Sequence, residues 1–145
     1  VEAVEFAAVS AEEDLLAAHR PEAVFCSDLA GWYLEGALVE VDTARCNYFA
    51  ASAPAPFALA AGDVLEAQVV HFDLTAPEPA RAHVALLAGA EVLWEREIVV
   101  PGAGDVLPVV VELSVPVAAD TPVGWHLHNH GQNHWRLSGV EVRGR

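Results

Sequence analysis

The chain reads as an all-β protein, a two-sheet antiparallel β-sandwich of the jelly-roll kind with a short N-terminal helix. Three observations predict this. Valine occurs 22 times against one isoleucine and no methionine, so β-branched side chains dominate wherever the chain alternates. From Trp32 onward, apolar and polar residues alternate with the period of two that a strand imposes. Clusters of Gly, Pro and Asp interrupt that alternation at short intervals, as turns require.

The length of 145 residues suits one domain with one core. We divide it into an N-terminal appendage over 1–31 and a jelly roll over 32–142. The apolar fraction of 54% overstates the packing material, because 27 residues are alanines that bury little area each. In the appendage, Ser10-Ala-Glu-Glu13 has the form of a capping box, so a short helix is expected after it, with Leu15 and Leu16 on its apolar side and Pro21 ending it. Strands are expected over 32–41, 46–50, 64–74, 81–88, 91–99, 106–115, 122–130 and 134–142. The intervening breaks include Gly62-Asp63, Pro77-Glu78-Pro79, Gly89-Ala90, Pro101 to Gly104 and Gly131-Gln132-Asn133.

The C-terminal pair of strands is the most informative stretch. Its period of two puts Val123, Trp125 and Leu127 on one face and His126, His128 and His130 on the other. A tight hairpin at 131–133 would set His130 against His134 and Leu127 against Leu137, with Trp135 also inward. In the alternative, the last strand crosses to the opposite sheet and His134 leaves the other histidines.

The order of turns, the Gly62-Asp63 start of a long strand and the closing Asn-His-Gly-x-Asn-x-Trp-x-Leu of Asn129 to Leu137 resemble the galactose-binding-like jelly roll of bacterial carbohydrate-binding modules. The resemblance covers roughly 32–142 and rests on pattern rather than on a diagnostic site motif. It implies a glycan ligand and a structural calcium ion.

Charge narrows the partners. Twenty-one acidic residues against seven arginines and no lysine give a net charge of −14. The arginines are scattered, so neither nucleic acid nor an anionic membrane surface is expected as a partner. No apolar run is long enough to span a bilayer as a helix, so membrane insertion is not expected. The sequence starts at Val1, as a mature product freed of its leader would, and as a trimmed chain would too. Cys26 and Cys46 are expected to form a disulfide, which together with that start points to a secreted, cell-surface or periplasmic protein.

Two constellations could carry function. Sugar rings stack on aromatic faces while amides and guanidinium groups read their hydroxyls. Tyr33, Trp94, Asn129, Gln132, Asn133, Trp135 and Arg136 are the candidates for that work. The second constellation is imidazole. Alternate strand positions lie about 6.6–6.8 Å apart, so His126, His128 and His130, helped by His71 or His83 from a neighbouring strand, could converge on zinc or copper. His19 is read instead as a partner for a helix C-terminus. Asp73 stands two residues from His71 and could orient its ring.

Catalytic arrangements are weaker. Glu95 and Glu97 share a strand face without a cleft between them, and no serine lies in a nucleophile elbow. The expected function is therefore a non-catalytic, secreted or surface ligand-binding module, with carbohydrate favoured. Transition-metal binding is the first alternative, and a self-assembling surface or coat subunit, hence a homo-oligomer, is the second.

Overall fold

The computed structural model describes residues 1–2, 5–27 and 29–144. Among them the strands are β1 (Ala7–Ala8), β2 (Trp32–Glu35), β3 (Leu38–Asp42), β4 (Tyr48–Pro54), β5 (Val64–His71), β6 (Ala80–Ala88), β7 (Glu91–Val100), β8 (Asp105–Glu112), β9 (Pro122–His128), β10 (His134–Ser138) and β11 (Glu141–Val142). They form two antiparallel sheets, as the alternation predicts. One runs β1-β4-β9-β6-β7. In the other, β10 and β11 pair successively along one edge of β5, β8 pairs along its opposite edge, and β3 and β2 follow beyond β10.

The core lies between the sheets. Trp125 and Leu127 of β9, Phe49 of β4 and Val84 and Leu86 of β6 come from the five-stranded sheet, and Trp135, Leu137, Val39, Val41 and Val69 come from the other. All are at most 2% exposed. The indole N–H of Trp125 donates to the Ser138 carbonyl at 2.8 Å, whereas the equally buried Trp135 N–H has no partner among the described residues.

Four local expectations change. The stretch 32–41 is two strands, not one, because Gly36 adopts φ +62° and folds β2 back on β3. The stretch 134–142 breaks between Ser138 and Glu141. The loop 129–133 is not a hairpin turn: β9 and β10 lie in opposite sheets, so the crossing alternative holds and His134 stands apart from the β9 histidines. Side chains fix this crossing. Thr43 Oγ1 donates to the Asn133 carbonyl at 3.0 Å, and the Asn129 amide donates to Thr43 Oγ1 at 3.0 Å. Gly131 sits at φ +101° against the Thr75 carbonyl, where a Cβ would collide.

The N-terminal helix reduces to a single 3-10 turn, Ala17–His19. Ser10 spends its hydroxyl on the Glu13 carboxylate at 2.9 Å, and Asp14 is claimed by Tyr48 of β4, by Arg20 and by the Leu16 N–H. So short a segment has no helical stability of its own to oppose those contacts.

Cys26 and Cys46 are joined by a disulfide, as expected. The bridge spans 20 positions of sequence and ties the appendage to the start of β4. In the chain-entropy picture, a loop of that length restrains the unfolded chain by about 3 kcal/mol. The double variant Cys26→Ser/Cys46→Ser is therefore expected to lose about 3 kcal/mol of stability in urea melts; an unchanged midpoint would contradict this role.

Candidate functional site

The two outer faces of the sandwich differ, and each gathers one of the sequence-derived constellations in part. On the six-stranded sheet, β2, β3, β10, β5 and β8 set Tyr33, Glu40, Arg136, Val70 and Val106 side by side in register. Four interstrand steps make this strip roughly 19 Å long. Parity dictates it: Trp32, Val41 and Trp135 point inward, so their neighbours Tyr33, Glu40 and Arg136 point outward.

Glu40 organises the strip. Its carboxylate is buried although it lies on an outer face, because Tyr33 and Arg136 cover it. The Tyr33 hydroxyl donates to it at 3.0 Å, and Arg136 Nε donates to its other oxygen. Burial alone would raise the Glu40 carboxyl, but hydrogen bonds from Glu35, Arg136 and Tyr33 outweigh it and leave it below the usual carboxylate range. The same contacts raise Tyr33, first through its hydrogen bond to Glu40, and Glu35 is likewise raised by Glu40 beside it. Arg136 also donates to Glu35 at 3.2 Å, and its guanidinium lies over the exposed ring of Phe72, 5.2 Å from the centroid. A shallow hollow continues the strip past Phe72, lined by Val70, Val106, Asp73 and Asp105.

The other proposed ligand residues are distributed differently. Trp135 is fully buried and presents no face to solvent. Asn129 and Asn133 are buried in the crossing loop, where the Asn133 side-chain carbonyl accepts the Thr75 N–H at 2.5 Å. Gln132 is exposed at the tip of that loop, away from the strip's register. Trp94 is half-buried on β7, edge-on to Trp125 with centroids 6.4 Å apart. Of the residues singled out for sugar contact, the strip thus unites Tyr33 and Arg136. It adds Phe72, Glu35 and Glu40, which the alternation places outward but which no motif flags.

The five-stranded sheet presents the imidazoles. His126 of β9 and His83 of β6 are diagonal neighbours with ring centroids 5.0 Å apart. The N-terminal segment closes over them, and His19 stacks on His83 at 4.3 Å with planes 10° apart. Tyr48 anchors that closure, its hydroxyl donating to Asp14 at 2.6 Å, while Arg20 donates to the same carboxylate oxygen at 2.8 Å. Burial first, then the Asp14 carboxylate, raises the Tyr48 hydroxyl far above its ordinary range. His128 is half-buried beside Tyr48 and His130 is exposed. His71 lies in the other sheet against Trp135, its Nδ1 3.0 Å from the Phe72 carbonyl, and Asp73 accepts the Gly104 N–H instead of orienting it. Of the proposed metal set, His83 meets His126 and His128 meets His130, with ring centroids 5.0 Å and 4.8 Å apart; the third ring beside His83 and His126 is His19, from the segment whose helix the sequence overstates.

The chemistry at these rings is unusual. A carboxylate can only accept, so the 3.0 Å contact between His83 Nε2 and Glu95 places a proton on Nε2 and, in the neutral ring, the lone pair on Nδ1. That Nδ1 and both nitrogens of His126 are buried without a hydrogen-bond partner among the described residues. Such an atom costs about 1–3 kcal/mol. His126 is only 1% exposed, and burial, then His83 and His19, lowers its pKa to about 3 from an ordinary 6.5; His128 adds to the lowering and Asp14 opposes it.

No family model matches this sequence, and no curated protein matches it. Among solved structures, one described as "CBM4 structure and function" aligns over 83% of this chain and 79% of its own at 9% identity and a TM-score of 0.46. A second, an arabinose-bound MgGH51 α-L-arabinofuranosidase, aligns over 83% of this chain and 25% of its own at 12% identity and a TM-score of 0.43. Both are likenesses of outline.

Two expectations follow from this geometry. Because folded His126 takes up a proton only near pH 3 and the unfolded chain does so near 6.5, its contribution is full above 6.5 and is lost as pH falls toward 3. Between pH 7.5 and 5 the loss is about 2 kcal/mol. Urea melts in chelated buffer should show it, and His126→Leu should flatten it; an equal slope in that variant contradicts the assignment. Arg136→Met should lower stability in urea melts, since it strips the Glu40 carboxylate of a charged donor; melts within error of the parent would show that Glu40 does not depend on Arg136.

Proposed function

We propose that this chain is a non-catalytic carbohydrate-binding β-sandwich that holds its ligand across the outer face of the six-stranded sheet. One observation carries the reading: the Arg136 guanidinium is held between the Glu40 carboxylate and the Phe72 ring, in the middle of an open strip. Sugar rings need an apolar face to stack on and rigid polar groups to meet hydroxyls. Phe72 and Tyr33 supply the first at either side of the strip. Arg136 and Glu35 supply the second, and the bonds from Arg136 to Glu40 and to Glu35 remove much of the rotamer freedom that binding would otherwise cost.

The charge of −14 favours a neutral glycan over a uronic or sulfated one, because the field repels anions. The disulfide supports a secreted or surface-displayed setting, since such bonds persist in oxidising compartments. Among the described residues, no helix is long and apolar enough to cross a membrane.

Affinity electrophoresis through gels cast with a soluble β-glucan, a xylan, an arabinan or a galactan tests the reading. Retardation is expected in at least one, with Phe72→Ala and Tyr33→Ala each weakening it about tenfold, the loss of one stacking contact. Free migration in all four gels, or retardation untouched by both substitutions, would overturn it.

A further inference from the structure

The outer face of the five-stranded sheet holds three buried imidazole nitrogens that nothing among the described residues uses. His126 contributes two of them and His83 one, while Glu95 occupies the other nitrogen of His83. Buried polar atoms without partners are rare in folded proteins, and each calls for an explanation. Their surroundings give one. A ring nitrogen from each of His19, His83 and His126 lies within 4.8 Å of the others.

We propose that His19, His83 and His126 form a three-imidazole site for a divalent transition ion, zinc or copper, which fastens the N-terminal segment to the sheet. The ligands come from three separate pieces of chain: the 3-10 turn, β6 and β9. An all-nitrogen donor set selects zinc, copper or nickel over calcium and magnesium, which prefer oxygen. Zinc–nitrogen bonds of about 2.0–2.1 Å bring tetrahedral ligand atoms to roughly 3.3 Å apart. The three nitrogens must therefore draw together by up to about 1.5 Å, and His19, exposed on a single turn, is the ligand with room to move.

Glu95 completes the arrangement. A ligating imidazole usually donates its second N–H to a carboxylate, which fixes the tautomer and aims the lone pair at the metal. The bond from His83 Nε2 to Glu95 does this and leaves Nδ1 for the ion. Asp14 does not join the set, since Arg20 and Tyr48 hold it. A fourth position falls to water or to an external ligand, and His126 also lines a groove of about 530 Å³ between the N-terminal segment and the sheet, bordered by Leu15, Leu87 and Trp125. The net negative charge draws cations toward it.

This inference is independent of the sugar reading, because it concerns the opposite face. Its test is calorimetric titration of the tag-free, chelator-stripped full chain with zinc chloride and with copper(II) chloride, alongside thermal melts. We expect one ion per chain with a Kd below about 10 μM for at least one metal, and a raised melting temperature. His19→Ala changes an exposed side chain and should weaken binding at least tenfold and remove the thermal shift. His126→Leu should do the same, with circular dichroism reporting whether that interior variant folds, and His130→Ala should change neither readout. Binding weaker than about 10 μM for both metals would overturn the proposal. So would binding that persists in His19→Ala, or that disappears in His130→Ala.

Discussion

Burial of β9 on both faces is the constraint on which the rest of the structure depends. From Val123 to Leu127 every side chain is out of solvent. Trp125 and Leu127 enter the core between the sheets, as an alternating strand should. The opposite face needs a second cover, and the N-terminal segment provides it by placing Asp14, Leu15 and His19 over β4, β6 and β9. Gly124 shows how closely the paired strands β9 and β4 approach, since a Cβ there would collide with the Ala51 carbonyl of β4. The sandwich therefore carries a third layer where that segment covers β4, β6 and β9.

That asymmetry separates the chemistry of the two outer faces. Where the extra layer sits, His126 loses water, and burial favours its neutral, lone-pair form. Where it does not, β2, β3 and β10 carry an open lattice of opposite charges in which Arg136 meets Glu35 and Glu40. The cations are spent on such pairs: Arg20 with Asp14, Arg81 with Glu97, Arg143 with Glu66. The excess of acid therefore stays uncompensated, and its field repels anions and attracts cations.

Much of this was legible in the sequence and some was not, for a physical reason. Alternation and turn residues report local backbone geometry, so the strands from β5 to β9 and the inward direction of Trp125, Leu127, Trp135 and Leu137 could be read directly. Tyr33 opposite Trp32 and Arg136 opposite Trp135 followed from the same parity. The crossing at 129–133 looked like a hairpin because Gly131 also serves tight turns, and only its contacts with Thr43 and Thr75 carry the chain to the other sheet. The sequence assigns His19 to a helix C-terminus and not to the other imidazoles, because its neighbours are 64 and 107 positions away and no local pattern encodes such proximity. The capping signature at Ser10 was real as hydrogen-bond chemistry, yet long-range contacts at Asp14 decided the backbone.

The N-terminal segment, closed over β9, seals His126 from water. Nuclear magnetic resonance of imidazole nitrogens in metal-free protein tests it most directly, ring by ring, across a pH series. His126 should keep the shifts of a neutral ring down to pH 4.5. A His126 midpoint near 6.5 in folded protein would contradict it, since only a ring in contact with solvent behaves that way.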